Sequence, residues 1–343
     1  MKIQNLAASF IVIAGIITFL VVGKPLLIPF FLAIVIWYLI NAIYGVLATL
    51  PLIGRIPKGL GLGLAATIIL GILVLVGELL SQNINSMIAT APNYKMNIEH
   101  KFANILSTFG ITEIPDFNSL SKELNLGDYV SPLLNGIRSL AQNFFLVLIY
   151  IIFLLLEQNF FIKKIDKLQL SQERKDRLNI IFTKINDAAG SYIAVKTFAS
   201  VLTGVLSYGV LTLVGVDFAL FWAFLIFLLN YIPTIGSIVA TAFPALLTLV
   251  QFDGFTPFFI VLIGVLAIQV AIGSFLEPRL LGNTLNISPL VVILALALWG
   301  LLWGVVGMLL CVPITIILII IFAQFPPTRP IAVFLSRNGE VGT

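Results

Sequence analysis

Few side chains in this 343-residue sequence can carry charge or bind a polar solute, and those few stand out against an apolar background. Asn230 and Tyr231 open the segment Asn230-Tyr231-Ile232-Pro233-Thr234-Ile235-Gly236, which interrupts the apolar run Phe218–Val250. The amide is both donor and acceptor, and the phenol adds a hydroxyl. Either group can bind a polar solute or re-bond backbone freed at the break, where Pro233 removes a donor and biases Ile232 away from helical angles. Glu277-Pro278-Arg279 closes the run Phe255–Leu276. Its carboxylate and guanidinium can pair, easing an insertion cost of about 2.5–3.5 kcal/mol per unpaired charge at mid-bilayer. The plainer alternative is an interfacial pair closing a helix end; of the two, Glu277 is the candidate for proton exchange. Lys196, just before the run Ala199–Val216, is expected to snorkel to the cytoplasmic surface or to act as a functional charge. Glu78 and Glu157 each end an apolar run and mark interface boundaries.

Other chemistries are excluded by composition. Cys311 is the only cysteine and His100 the only histidine, so neither an intrachain disulfide nor a typical zinc or Cys/His site can form. The sequence has no H-E-x-x-H, G-x-S-x-G, G-x-x-x-x-G-K-[ST] or strand-to-helix G-x-G-x-x-G, so no enzyme and no cofactor is expected. Without a nucleotide site, energy coupling falls to ion gradients. The net charge is +4, yet no Lys/Arg stripe is interleaved with aromatics, so nucleic acid is not an expected partner.

The elements that must position these residues are membrane helices. Hydrophobic residues make up 60% and charged residues 10%, against about 25% charged in a soluble domain. Mean hydropathy is +1.12. Apolar runs occupy Leu6–Val22, Leu26–Leu47, Leu60–Leu80, Leu140–Leu156, Ala199–Val216, Phe218–Val250, Phe255–Leu276 and Pro289–Phe322. No small-x-small cleavage site follows the first, so it reads as an uncleaved helix. Between runs lie two polar insertions, Ser81–Ser139 and Glu157–Gly190. The second carries Lys163, Lys164, Lys167, Arg174, Lys175, Arg177 and Lys184, which places it in the cytoplasm. Counting passes puts Ser81–Ser139 outside, Arg55 and Lys58 inside, Lys24 outside, and both termini, with Lys2, Arg329 and Arg337, in the cytoplasm.

Two runs are well above the length of a single span. Phe218–Val250 has 33 residues and Pro289–Phe322 has 34, and each is broken near its middle, the second by Gly300, Gly304 and Gly307 with Pro313 beyond. Residues 218–229 would rise only about 18 Å, roughly half of a 30 Å hydrocarbon core. Each run therefore fits a re-entrant hairpin; the alternative is one long, tilted and kinked span. The fold expected is an all-α membrane protein of about eight hydrophobic segments, the last but two and the last being broken-helix hairpins in an inverted repeat. Residues 1–80 would be N-terminal helices and 81–139 an extracytoplasmic insertion. Residues 140–198 would supply one helix and the basic loop, 199–323 a core of two helix-plus-hairpin units, and 324–343 a cytoplasmic tail. Ile84, Met87, Ile88, Ile98, Phe102, Ile105 and Leu106 suggest amphipathic helices in the insertion, lying on the membrane or on a neighbouring subunit. Gly59-x-Gly61-x-Gly63 suits close helix packing.

Phe227-Leu-Leu-Asn230-Tyr231-Ile232-Pro233-Thr-Ile235-Gly236-Ser237 resembles the most characteristic motif of the autoinducer-2 exporter family. So does Glu277-Pro278-Arg279-Leu-Leu-Gly282, followed by Ser288-Pro289-Leu290 and Trp299-Gly300-Leu-Leu-Trp303-Gly304-Val-Val-Gly307-Met308-Leu-Leu-Cys-Val-Pro313. Tyr192-Ile-Ala-Val-Lys196-Thr and Ala91-Pro92-Asn-Tyr94 are similar to family positions as well. The resemblance spans essentially the whole chain in order. It implies an inner-membrane transporter without ATP use, assembled as a homo-oligomer, by family a pentamer. One branch of the family is associated with export of autoinducer-2, and others with sodium or lithium/proton antiport. The motif match gives importance to Asn230, Pro233, Gly236, Glu277, Arg279 and Gly304 without defining a role for each. The expected function is export of a small polar solute, autoinducer-2 being one candidate, by elevator-like alternating access. The alternatives are sodium or lithium/proton antiport, with Glu277 or another buried carboxylate exchanging protons, and a membrane scaffold without transport, motivated by the acidic-leaning insertion.

Overall fold

The computed structural model describes residues 3–50, 56–108, 143–158, 160–282 and 286–340. Regular structure among them is helical throughout: α1 (Ile3–Val22), α2 (Lys24–Ala48), α3 (Lys58–Thr108), α4 (Phe144–Glu157), α5 (Phe161–Lys167), α6 (Gln172–Val214), α7 (Ala219–Leu229), α8 (Ile235–Gln251), α9 (Thr256–Val270), α10 (Glu277–Leu281), α11 (Pro289–Ala323) and α12 (Arg329–Leu335). A π-helical turn, Ala271–Leu276, joins α9 to α10. In hydrocarbon every backbone N–H and C=O needs an internal partner, which a helix supplies. Among the described residues, Lys24–Ala48, Lys58–Leu79, Gln172–Val214, Thr256–Leu281 and Pro289–Ala323 are long and apolar enough to cross a bilayer. The chain is a multi-pass, all-α membrane protein.

The chain divides into two compact units. One comprises Met1–Ala66, Gly136–Ala194 and Asn283–Thr343; the other comprises Thr67–Asn135 and Val195–Gly282. In the first, α2 packs along α4, with Phe30 edge-on to Tyr150 at 5.5 Å and Trp37 Nε1 donating to Gln158 Oε1 at 2.8 Å. Of the three closely spaced glycines, only Gly61 makes the expected close approach, lying beneath the Tyr44 ring.

Both over-long runs fold as hairpins, which rejects the kinked-span alternative. In the second unit α7 and α8 pack together across the Asn230–Thr234 turn. The 11 residues of α7 rise only about 16 Å, too short to cross. The turn is closed by Ile235 N donating to Pro233 O at 2.6 Å, with Thr234 at φ 60° and ψ −61°. That is a γ-turn of the rare positive-φ kind, costly for a β-branched residue. Reversal brings the first turn of α8 against the end of α7, so a Cβ on Gly236 would fall 1.8 Å from Leu229 O.

In the first unit α11 reverses at Gly304, whose φ 64° and ψ −145° belong to a region open only to glycine. A Cβ on Gly307 would fall 1.9 Å from Trp299 O, whereas eight residues of straight helix span about 12 Å. The start of α11 meets the helix that follows its end: Ser288 N donates to Leu335 O of α12 at 3.0 Å.

The polar insertions differ from expectation. α3 continues without interruption past Leu80 to Thr108, so no break separates the span from the insertion. The side chains expected to make that insertion amphipathic, and Arg55 and His100, lie outside those described, as do residues 109–139. The basic stretch is largely helical rather than a loop. α5 and the start of α6 form it, with Phe161 against Phe182 at 4.3 Å.

Candidate functional site

The second unit concentrates its polar side chains on one helix. Lys196, Ser200, Thr203 and Ser207 follow at intervals of four, three and four, which places them on one face of α6, and all are buried. Two segments reach this face. From the α7–α8 turn, Asn230 Nδ2 donates to Ser200 Oγ at 3.0 Å and Tyr231 Oη to Thr197 Oγ1 at 2.7 Å. From α10, Glu277 accepts from Lys196 Nζ through both carboxylate oxygens, each at 2.9 Å. All three contacts fall within residues 196–200, a length of about 6 Å along the helix.

Two expectations for these charges are corrected. Lys196 does not snorkel: its side chain is 9% exposed and that of Glu277 is 14% exposed, in a buried ion pair. Glu277 does not pair with Arg279. Residues 277–281 are helical, and positions two apart on a helix point to different sides, so Arg279 is exposed while Glu277 turns to α6. Asn230 is not needed to re-bond the broken backbone either. The N–H groups of Asn230, Tyr231 and Ile232 donate to Ile226, Leu228 and Leu229 carbonyls.

Two contacts between α6 and the α9–α10 stretch run in antiparallel order. Lys196 meets Glu277, and a Cβ on Gly264 would lie 3.1 Å from Val210 Cγ1. Gln269, on α9 between those two contacts, is buried as well. Gln269 Nε2 and Ser207 Oγ have no hydrogen-bond partner among the described residues. Unsatisfied buried polar atoms each cost about 1–3 kcal/mol and are tolerated where a ligand or water meets them.

Of the sequence-predicted residues, Lys196, Asn230, Tyr231, Pro233, Gly236, Glu277, Arg279 and Gly282 belong to this unit. Pro233 and Gly236 shape the turn, and Gly282 ends α10 at φ 53°. Ser288, Pro289, Gly304 and Gly307 belong to the other unit, at the base and tip of its hairpin. There Trp303 Nε1 donates to Leu20 O at 3.0 Å and its ring packs on Trp299 and Phe31. Sequence reasoning missed Thr197, Ser200, Thr203, Ser207 and Gln269; the helical spacing of hydroxyls after Lys196 is the signal that would have found them.

A clamp at the base of the first hairpin was also missed. Gln251 joins the hairpin's two ends, with Nε2 donating to Gly215 O at 2.8 Å and Oε1 accepting from Asp217 N at 2.9 Å. The extension of α3 holds the same base. Tyr94 Oη donates to Asp217 at 2.7 Å, Lys101 Nζ to Leu249 O at 2.6 Å and also to Phe252 O, and Asn97 Nδ2 to Val250 O at 3.3 Å. Burial, reinforced by the hydrogen bond to Asp217 and by its charge, pushes the Tyr94 phenol well above its ordinary pKa.

The AI-2E family transporter profile matches residues 9–326. The chain belongs to the AI-2E transporter family. It is 32% identical over 344 residues to the AI-2 transport protein TqsA of Escherichia coli K12, covering 96% of this chain and 95% of that one. It is 33% identical over 252 residues to a relative from Borreliella burgdorferi, covering 72% of this chain and 68% of the relative. A Haemophilus influenzae relative is 29% identical over 342 residues, covering 97% of this chain and 95% of the relative. The last two are provisionally named transport proteins, with no cargo in the name. The chain thus joins a family named for transport, and two of its motif segments, Asn230–Gly236 and Glu277–Gly282, meet on α6.

Proposed function

We propose that the chain is a secondary transporter that exports a small polar solute along the buried polar face of α6, with autoinducer-2 as the first candidate cargo. The observation that carries this is the convergence of Asn230, Tyr231 and Glu277 on residues 196–200 of α6, beside the largely apolar helices α7 and α9. Polar groups buried at membrane depth mark solute or ion pathways. The name of the Escherichia coli relative supports the cargo. In this reading the chain lies in the inner membrane with both termini cytoplasmic and assembles as a homo-oligomer, a pentamer by family. The hairpins form an inverted repeat, re-enter the bilayer from opposite faces, and move in an elevator-like way against helices held by subunit contacts. Efflux of labelled autoinducer-2 from proteoliposomes tests the cargo: saturable flux, lost in Asn230→Ala, is expected, and its absence removes autoinducer-2.

The Lys196–Glu277 pair favours one second reading, sodium or lithium/proton antiport. A cation competing for the Glu277 carboxylate would displace the Lys196 ammonium, and proton release would follow. Everted vesicles should then alkalinise on adding sodium or lithium, and Glu277→Gln should abolish the response. A pH trace blind to both cations rules antiport out.

A further inference from the structure

The base of the second hairpin carries a feature that transport does not use. α11 ends at Ala323, Pro326-Pro327 stops the chain, and α12 turns back beside it. A cleft of about 390 Å³ opens there, lined by Ala323, Gln324, Pro326, Arg329, Pro330 and Val333. Arg329 is exposed and makes no ion pair among the described residues, and neither does the Arg337 side chain beyond α12. Beside these cations α12 presents apolar surface to the outside: Phe334 is 85% exposed and Ile331 47%, with Phe325 at 42% on the preceding turn.

Water is a poor neighbour for that face, and a bilayer surface is a good one. α12 directly follows the second arm of the Gly304 hairpin at its base, where a re-entrant hairpin leaves the acyl chains for the headgroups. Apolar side chains beside unpaired basic ones are the composition of an interfacial anchor. The charge selects the lipid, because two uncompensated guanidiniums favour an anionic phosphate over a zwitterionic headgroup, and a guanidinium fork can hold phosphate through two hydrogen bonds. We propose that the cleft at Arg329 binds the phosphate headgroup of an anionic phospholipid, with Phe334 and Ile331 seated against its acyl chains. The lipid then bears on the hairpin itself. α12 is tied to the hairpin's entry by Leu335 O accepting from Ser288 N, and Asn286 accepts from Arg337 N at 3.1 Å and donates to Glu340 O at 2.6 Å.

Native mass spectrometry of the full chain in neutral detergent, titrated with dioleoyl phosphatidylglycerol or dioleoyl phosphatidylcholine, tests the site. The phosphatidylglycerol should be retained in preference. Arg329→Gln should weaken its retention about five-fold, the equivalent of about 1 kcal/mol for one basic residue at an anionic surface. Phe334→Ser should weaken retention of both lipids, and Arg174→Gln, in the basic stretch and not among the cleft's lining residues, should change neither. Arg329 has no ion-pair partner to lose, and unchanged circular dichroism confirms folding of each variant. Equal retention of the two lipids, an unaltered Arg329→Gln, an equal loss in Arg174→Gln, or displacement of the lipid by millimolar inorganic phosphate would each overturn the proposal.

Discussion

The two hairpins reverse by a similar backbone device and are tipped with opposite chemistry. Each has a positive-φ residue at its turn, Thr234 or Gly304, and each sets a glycine of its second helix against the last carbonyls of its first. The tip of the first is polar: Asn230 and Tyr231 extend from it to hydroxyls of α6. The tip of the second is aromatic, with Trp303 wedged between Trp299 and Phe31 and bonded to the α1 backbone. Their bases differ too. Gln251 and the extension of α3 hold the first, whereas α12 and Asn286 hold the second. A hairpin in an apolar medium therefore needs glycine geometry, but only the first of these two carries an amide and a phenol at its tip, where the second has a single indole N–H. The first is the candidate to meet a solute; the second is the better candidate for support.

The sharpest way to break this contrast is the ion pair beside the first tip. Removing one partner of a buried pair leaves an uncompensated charge, so Lys196→Met alone should cost about 3–5 kcal/mol in detergent unfolding. Combining Lys196→Met with Glu277→Leu should restore most of that loss while transport stays absent. A single substitution without effect would show that the pair is hydrated.

Next come the glycines. Gly236→Ala and Gly307→Ala should destabilise by similar amounts, about 3 kcal/mol each, because a Cβ would collide with fixed backbone at both tips. Thermal unfolding of the two variants side by side is the measurement. A tolerated alanine at only one site would show that the tips do not share a backbone design.

Side chains at the tips should then separate the hairpins by function. Asn230→Ala and Trp303→Phe each remove one hydrogen bond, worth about 1 kcal/mol. At equal loss of stability, Asn230→Ala should abolish flux and Trp303→Phe should leave most of it. Equal flux in the two variants would erase the distinction.

The smallest effect is at the base of the first hairpin. The folded pKa of Tyr94 is raised above the unfolded value of about 10, so folding favours the protonated phenol. Its contribution is therefore fully present below about pH 10 and is lost as pH climbs through the folded pKa. Hydrogen exchange around residues 94–101 should quicken above pH 10, an effect absent in Tyr94→Phe.

The sequence by itself determined most of the architecture. Sixty per cent hydrophobic content points to helices in a bilayer, and run lengths of 33 and 34 residues with Pro233 and Gly304 near their centres fit two reversals or two long kinked spans, between which the structure decided. Helices and their breaks are local consequences of solvent and backbone, legible from composition and order. The partners of the charged and polar groups were not legible. Glu277 has Arg279 two residues away and Lys196 81 residues away, and it bonds to the distant one because helix geometry turns neighbours apart and antiparallel packing brings α6 and α10 together. In the same way Ser200 and Thr197 looked like ordinary small polar residues until the α7–α8 turn reached them. Local pattern fixes where a helix forms and breaks; which side chains share a buried face depends on how helices dock, and only the tertiary structure decides that.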